Sequence, residues 1–148
     1  MPRARDVAAF ILKEYGRPMT AMKLQKLVYY SQAWSLVWDE VPLFPEPIEA
    51  WANGPVVRDL FDAHRGQFWV ESIPDGDPNT LNDVQKETVQ IVLRDYGDKP
   101  GQWLADLTHM EDPWKNARRG LPRNSRSNIV IQLGEIHRYY EGLIAEQE

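Results

Sequence analysis

The chain has 148 residues, 43% of them apolar, with six Trp, six Tyr and four Phe; that is the size of one domain with enough apolar surface for a core, and it excludes a disordered chain. There is no Cys, which excludes disulfides, Cys-ligated zinc and thiol nucleophiles. A net charge of −5 disfavours general attraction to nucleic acid, and no segment reaches the roughly 20 apolar residues of a membrane span or resembles a signal peptide, so a cytoplasmic location is expected.

Asp6 to Tyr15 reads as a helix with Val7, Phe10 and Ile11 on one face, ended by Gly16 and Pro18. Thr20 is placed to cap a second helix that runs to Trp38. Around it, Leu24, Leu27, Val28, Trp34 and Trp38 form one broad apolar face, and Met22, Tyr29, Ala33, Leu36 and Val37 cover most of the other. Gln25 and Gln32, seven apart, form the one clear polar stripe; Lys23 and Lys26 interrupt the rest. A helix that is apolar nearly all round is enclosed by protein, so this is the expected central helix. Its four polar side chains must then reach an edge, find buried partners or contact another molecule.

Pro42, Pro45 and Pro47 break helical order, and Ile48 to Trp51 reads as a short edge strand. Asn53-Gly54-Pro55 reads as a turn that sets Pro55 at the first position of a helix. That helix, Val56 to His64, is expected to bury Val56, Val57, Leu60 and Phe61, with Gly66 ending it. Phe68 to Ile73 has strand-like content, and Pro74 to Asn79 is a loop. Asn82 and Gln85 resemble a capping box opening a helix to Tyr96. Gly101 to Met110 is expected to turn Trp103, Leu104 and Leu107 inward, and Asp112-Pro113-Trp114 begins another helical turn. Ile129 to Ile131 reads as a strand, and Leu133, Ile136, Tyr140, Leu143 and Ile144 stripe a last amphipathic helix. The expected fold is mainly α with minor β: a compact bundle of about six helices around the central apolar helix, with two or three short strands, residues 1–148 forming one domain.

Little here points to catalysis. His64 closes an apolar stripe, and His137 lies on the outer face of its helix. His109, close to Glu111 and Asp112, could act as a base or metal ligand, but no second His stands at ligand spacing; the favoured reading has it bonding a helix end beside Trp114. No nucleophile motif occurs, and Pro55 removes an N–H that a phosphate cradle would use. No enzyme activity, metal or cofactor is expected. Lys115, Arg118, Arg119, Arg123 and Arg126 cluster without an acid between Pro113 and Gly134. With Trp114 beside it, this basic loop suits nucleic acid, an acidic protein partner or plain solvation.

The run Met22-Lys23-Leu24-Gln25-Lys26-Leu27-Val28-Tyr29-Tyr30-Ser31-Gln32-Ala33-Trp34 resembles the signature helix of the SocA-like antitoxin domain, also called Panacea, related to phage-associated GepA proteins. The likeness continues through Leu43-Phe44, Ile48 to Trp51, Asn53 to Val57, Leu107-Thr108-His109, Glu111, Pro113-Trp114, Ala117-Arg118, Ile136 and Tyr139-Tyr140. The resemblance implies an antitoxin of a bacterial or prophage toxin–antitoxin pair that neutralises a toxin, encoded by a neighbouring gene, through direct protein binding. One member type delivers its toxin to a cellular protease. Many members carry a terminal extension; here the domain's own surface is expected to set specificity. The expected partner-binding residues are Lys23, Gln25, Lys26, Tyr29, Tyr30 and Gln32 on the helix, with Trp51, Asn53, His109, Trp114, Arg118 and Arg119. The alternative is a nucleic-acid-binding autoregulator using loop 115–126, and an enzyme built on His109 ranks well behind.

Overall fold

The Thr20 hydroxyl accepts from the Lys23 N–H at 3.2 Å and so fixes the start of the long helix. In the computed structural model, which describes residues 1–147, that helix is α2, Ala21–Trp38. Before it come α1, Ala4–Tyr15, and the two-residue strand β1, Met19–Thr20. After it follow β2, Ile48–Trp51; β3, Gly54–Val57; α3, Arg58–His64; β4, Trp69–Val70; α4, Asp83–Tyr96; α5, Gly101–Met110; α6, Asp112–Ala117; and α7, Leu133–Gln147. The fold is mainly α with minor β, as its patterning predicts.

From Lys23 to Leu36 every residue of α2 is buried. The reason is topological: α1, α3, α4, α5 and α7 all pack against it, together with β1, β3 and β4. Leu24, Leu27, Val28 and Ala33 are fully enclosed among Ile11, Val89, Leu104 and Ile136. Apolar residues all round the helix thus meet apolar surface all round it. Burying each large aliphatic side chain is worth about 1.5–3 kcal/mol.

Local signals place the other elements. Asn82 and Gln85 bond reciprocally at 2.8 and 2.9 Å and open α4. Gly16, at φ 78°, closes α1. Arg3 and Asp6 form a second capping box, so α1 begins two residues earlier than the apolar spacing suggests.

The largest correction concerns Asn53-Gly54-Pro55. Rather than starting a helix, it closes a hairpin: β2 and β3 pair antiparallel, Ile48 opposite Val57 and Trp51 opposite Gly54. Only Arg58 begins α3. Proline is tolerated because Pro55 and Val57 point their main-chain groups away from β2 toward α2, so no ladder bond is lost. Ile129 to Ile131 borders β2, with Ala50 N–H donating to Ile129 and Ile131 N–H to Ile48, both at 2.8 Å. Two further expectations shift. Trp103 points outward, 46% exposed, because Leu104 and Ala105 already take the buried face of α5. The strand content of 68–73 is realised only at Trp69–Val70, paired with β1.

Candidate functional site

The hairpin lies over the N-terminal half of α2, and side chains from beneath hold its main chain. Gln25 acts as a substitute strand: its Oε1 accepts from Val57 N–H at 2.9 Å and its Nε2 donates to Val57 C=O at 3.2 Å. The second Nε2 proton faces His64 Nε2 at 3.0 Å, so that imidazole nitrogen is the acceptor. Burial lowers the His64 pKa and agrees with a neutral ring. Lys26 Nζ donates to Pro55 C=O at 3.1 Å. Burial drops its pKa to about 7. Gly54, at φ 116°, lies over the lysine stem; a Cβ there would stand 2.6 Å from Lys26 Cε. Gln32, two turns along the same stripe, repeats the pattern: it accepts from Leu43 N–H at 2.6 Å and donates to Phe44 C=O at 2.8 Å.

On the other side, Trp114 Nε1 donates to Trp51 C=O at 2.7 Å. Arg118 donates to the carbonyls of Ala50, Pro122, Arg123 and Ser125. It is 2% exposed and lies 4.8 Å from the Trp114 ring centroid. Arg118 therefore belongs inside the basic loop and shapes it, a correction to its place in an outward cluster. Arg123, itself exposed, pairs with Asp106 at 3.2 Å, and Lys115, Arg119 and Arg126 are the exposed cations of that stretch with no ion pair among the described residues.

Below these, Glu111 accepts from Tyr30 at 2.6 Å and Tyr140 at 2.8 Å, and the Tyr29 and Tyr140 hydroxyls stand 3.1 Å apart. Burial raises the Glu111 pKa, and the two hydroxyl bonds oppose that rise. Tyr30 stacks on Tyr96 at 4.3 Å, and Tyr96 accepts from Trp34 Nε1. His109 takes no part. Its ring lies 4.1 Å from that of Trp114, and neither ring nitrogen has a hydrogen-bond partner among the described residues. The expected bond to a helix end is thus replaced by stacking, and Glu111 turns to the tyrosines rather than to His109.

Of the expected partner-binding residues, Lys23, Gln25, Lys26, Tyr29, Tyr30, Gln32, Trp114 and Arg118 are buried. Asn53 and Arg119 are exposed; Trp51 and His109 are partly so. Trp51 and Asn53 at the hairpin tip border one cleft and His109 borders another, whereas Arg119 lies in the wall of neither. The first, about 760 Å³, includes Gln25, Lys26, Trp51, Asn53, Arg58, Phe61, His64, Arg126 and Asn128 in its wall. The second, about 930 Å³, is bordered by His109, Met110, Trp114, Lys115 and Arg123. Sequence reasoning passed over Arg58, Phe61 and Asn128, since no local pattern joins α3 to a loop more than 60 residues away.

A family model for the antitoxin SocA-like, Panacea domain matches residues 24–115. The chain belongs to this family. No curated protein matches it, and no solved structure does. The Panacea match begins in α2 and ends in α6, so it spans the hairpin and most of the side chains that pin it. Arg118 and Tyr140 complete the same network from outside the matched segment.

Proposed function

We propose that the protein is an antitoxin that neutralises a cognate toxin, encoded by a neighbouring gene, through direct protein binding and without chemistry of its own. One observation carries this reading beyond the family match: Gln25 and Lys26 of α2 hold the hairpin and Arg118 holds the basic loop, so that the clefts these residues border form a prepared surface. Side chains locked by internal bonds lose little freedom when a partner docks, which favours affinity. In this reading Asn53, Trp51, His109 and Arg119 face the toxin, and Lys23, Gln25, Lys26, Tyr29, Tyr30, Gln32, Trp114 and Arg118 act by holding the surface that does. Delivery of the toxin to a protease would be a second use of the same complex and would shorten the toxin's lifetime in cells. The bacterial cytoplasm is the proposed setting; no helix among the described residues is long and apolar enough to cross a membrane.

Co-expression tests the proposal. The chain should restore growth to cells expressing the adjacent open reading frame and co-purify with its product. Absence of both rescue and complex would sink it.

A further inference from the structure

Three surface features stand beside the scaffold: the exposed Phe68–Trp69 pair, the cleft beside His109, and the cleft over Lys26. Nothing fixes an occupant for the first. The second is bordered by Asp106 as well as by cations, which leaves its charge preference undefined. The third has a definite character.

Its wall contains Lys26, Arg58, His64 and Arg126 and not one carboxylate, in a chain whose net charge is −5. Arg58 is shared with Glu49 at 3.5 Å and with the Trp51 ring at 5.1 Å. Arg126 makes no ion pair among the described residues. Lys26 reaches the wall with one acceptor, Pro55 C=O, for a group that as an ammonium carries three donors. Its remaining donors have no protein partner among the described residues, although the side chain is 1% exposed. Aromatic rings share this wall: Trp51 and Phe61 meet edge to face at 4.9 Å, and Phe61 meets the neutral His64 at 5.6 Å. The volume, about 760 Å³, accommodates a few side chains of a bound segment.

We infer that this cleft receives an acidic segment of the toxin that carries an aromatic residue, the ring lying against Trp51 and Phe61 and a carboxylate reaching toward Arg58 and Arg126. The inference rests on the antitoxin reading and deepens it by naming what the partner presents. A main-chain strand is not the expected occupant. The outer edge of β3 is closed by Gln25 and Lys26, and that of β2 by Ile129, Ile131 and Arg118, so recognition falls to side chains. Charge complementarity of this kind selects partners by repelling basic ones.

Two blocked pentapeptides test the cleft directly: acetyl-Asp-Glu-Phe-Glu-Asp-amide, and its counterpart with Lys and Arg in place of the acids. Titrated into the full chain, the acidic peptide should shift the amide and indole resonances of Trp51, Asn53 and Asn128 saturably, and the basic one should not. Arg126→Glu, at an exposed position, should weaken that binding by about tenfold or more with an unchanged thermal midpoint. Lys13→Glu, exposed on α1, should leave it intact. Equal shifts with both peptides, shifts confined to other surfaces, or binding indifferent to Arg126→Glu would each overturn the inference. In cells, Arg126→Glu combined with Arg58→Glu should abolish rescue from the neighbouring toxin. Rescue by that double variant as efficient as wild type also overturns it. Failure of the wild-type chain to rescue would instead overturn the antitoxin reading, and the two failures are read separately.

Discussion

Lys26 shows how burial changes one residue's chemistry. Its amine has lost water on all sides and gained one carbonyl, so the neutral form is favoured and the pKa falls from 10.5 to about 7. Between those values the unfolded chain holds a proton that the folded chain has released. Stability therefore rises with pH across that window, by up to about 1.4 kcal/mol per unit; below it both states hold the proton, the burial penalty is constant and this group adds no pH dependence. Urea unfolding of the wild type and of Lys26→Met at intervals from pH 7 to 9.5 should show a rise in the first that the second lacks; parallel curves would refute the buried amine. Tyr30 poses the opposite case. Its hydroxyl donates to Glu111 at 2.6 Å, and a hydrogen bond to a charged group is worth about 1.5–3 kcal/mol. Tyr30→Phe should cost about that much in the same assay, with the helical circular dichroism signal unchanged.

At the scale of elements, two glutamines on one stripe of α2 each hold an extended segment by both its N–H and its C=O. Gln25→Ala leaves Val57 with two buried main-chain groups unmet, and Gln32→Ala does the same to Leu43 and Phe44. Each should destabilise by about 2–4 kcal/mol. Hydrogen exchange separates them: protection should fall in β2–β3 for the first and around Leu43 for the second. Gly54→Ala probes the same hairpin from above. A Cβ at φ 116° and 2.6 Å from Lys26 Cε meets both backbone strain and a clash, so a loss of at least about 2 kcal/mol is expected, read as a lower urea midpoint.

For the whole molecule, α2 is the shared neighbour of five other helices and both small sheets. Glu111 then joins α2 to α7 through Tyr30 and Tyr140. No part of the described core stands apart from this axis, so unfolding should be a single transition. Far-ultraviolet circular dichroism and tryptophan fluorescence should give coincident urea curves; a separate early loss of α7 would contradict the linkage. Under the proposed antitoxin function, the same architecture divides scaffold from recognition. Substitutions at Gln25 or Gln32 should lower toxin affinity only as far as they lower stability, whereas Asn53→Asp or Arg119→Glu should change affinity with stability intact.

Periodicity and caps carried the fold class, α2 and its Thr20 cap, the Asn82–Gln85 box and the core face of α7, because helices are specified by neighbours three and four residues apart. The polar members of α2 were legible as an anomaly and, through resemblance, as a family signature. Which of three fates they met was decided by tertiary structure alone. Gln25 and Val57 are 32 residues apart and Tyr29 and Tyr140 are 111 apart, and no local pattern encodes such pairings. The same reason explains the misread turn. Asn53-Gly54-Pro55 is equally compatible with a helix start and a hairpin, and the choice falls to the hairpin because β2 on one edge and Gln25 and Lys26 on the other satisfy its main chain. The cleft over Lys26 follows from that choice, since its wall exists only once α2, the hairpin, α3 and residues 126–128 have come together.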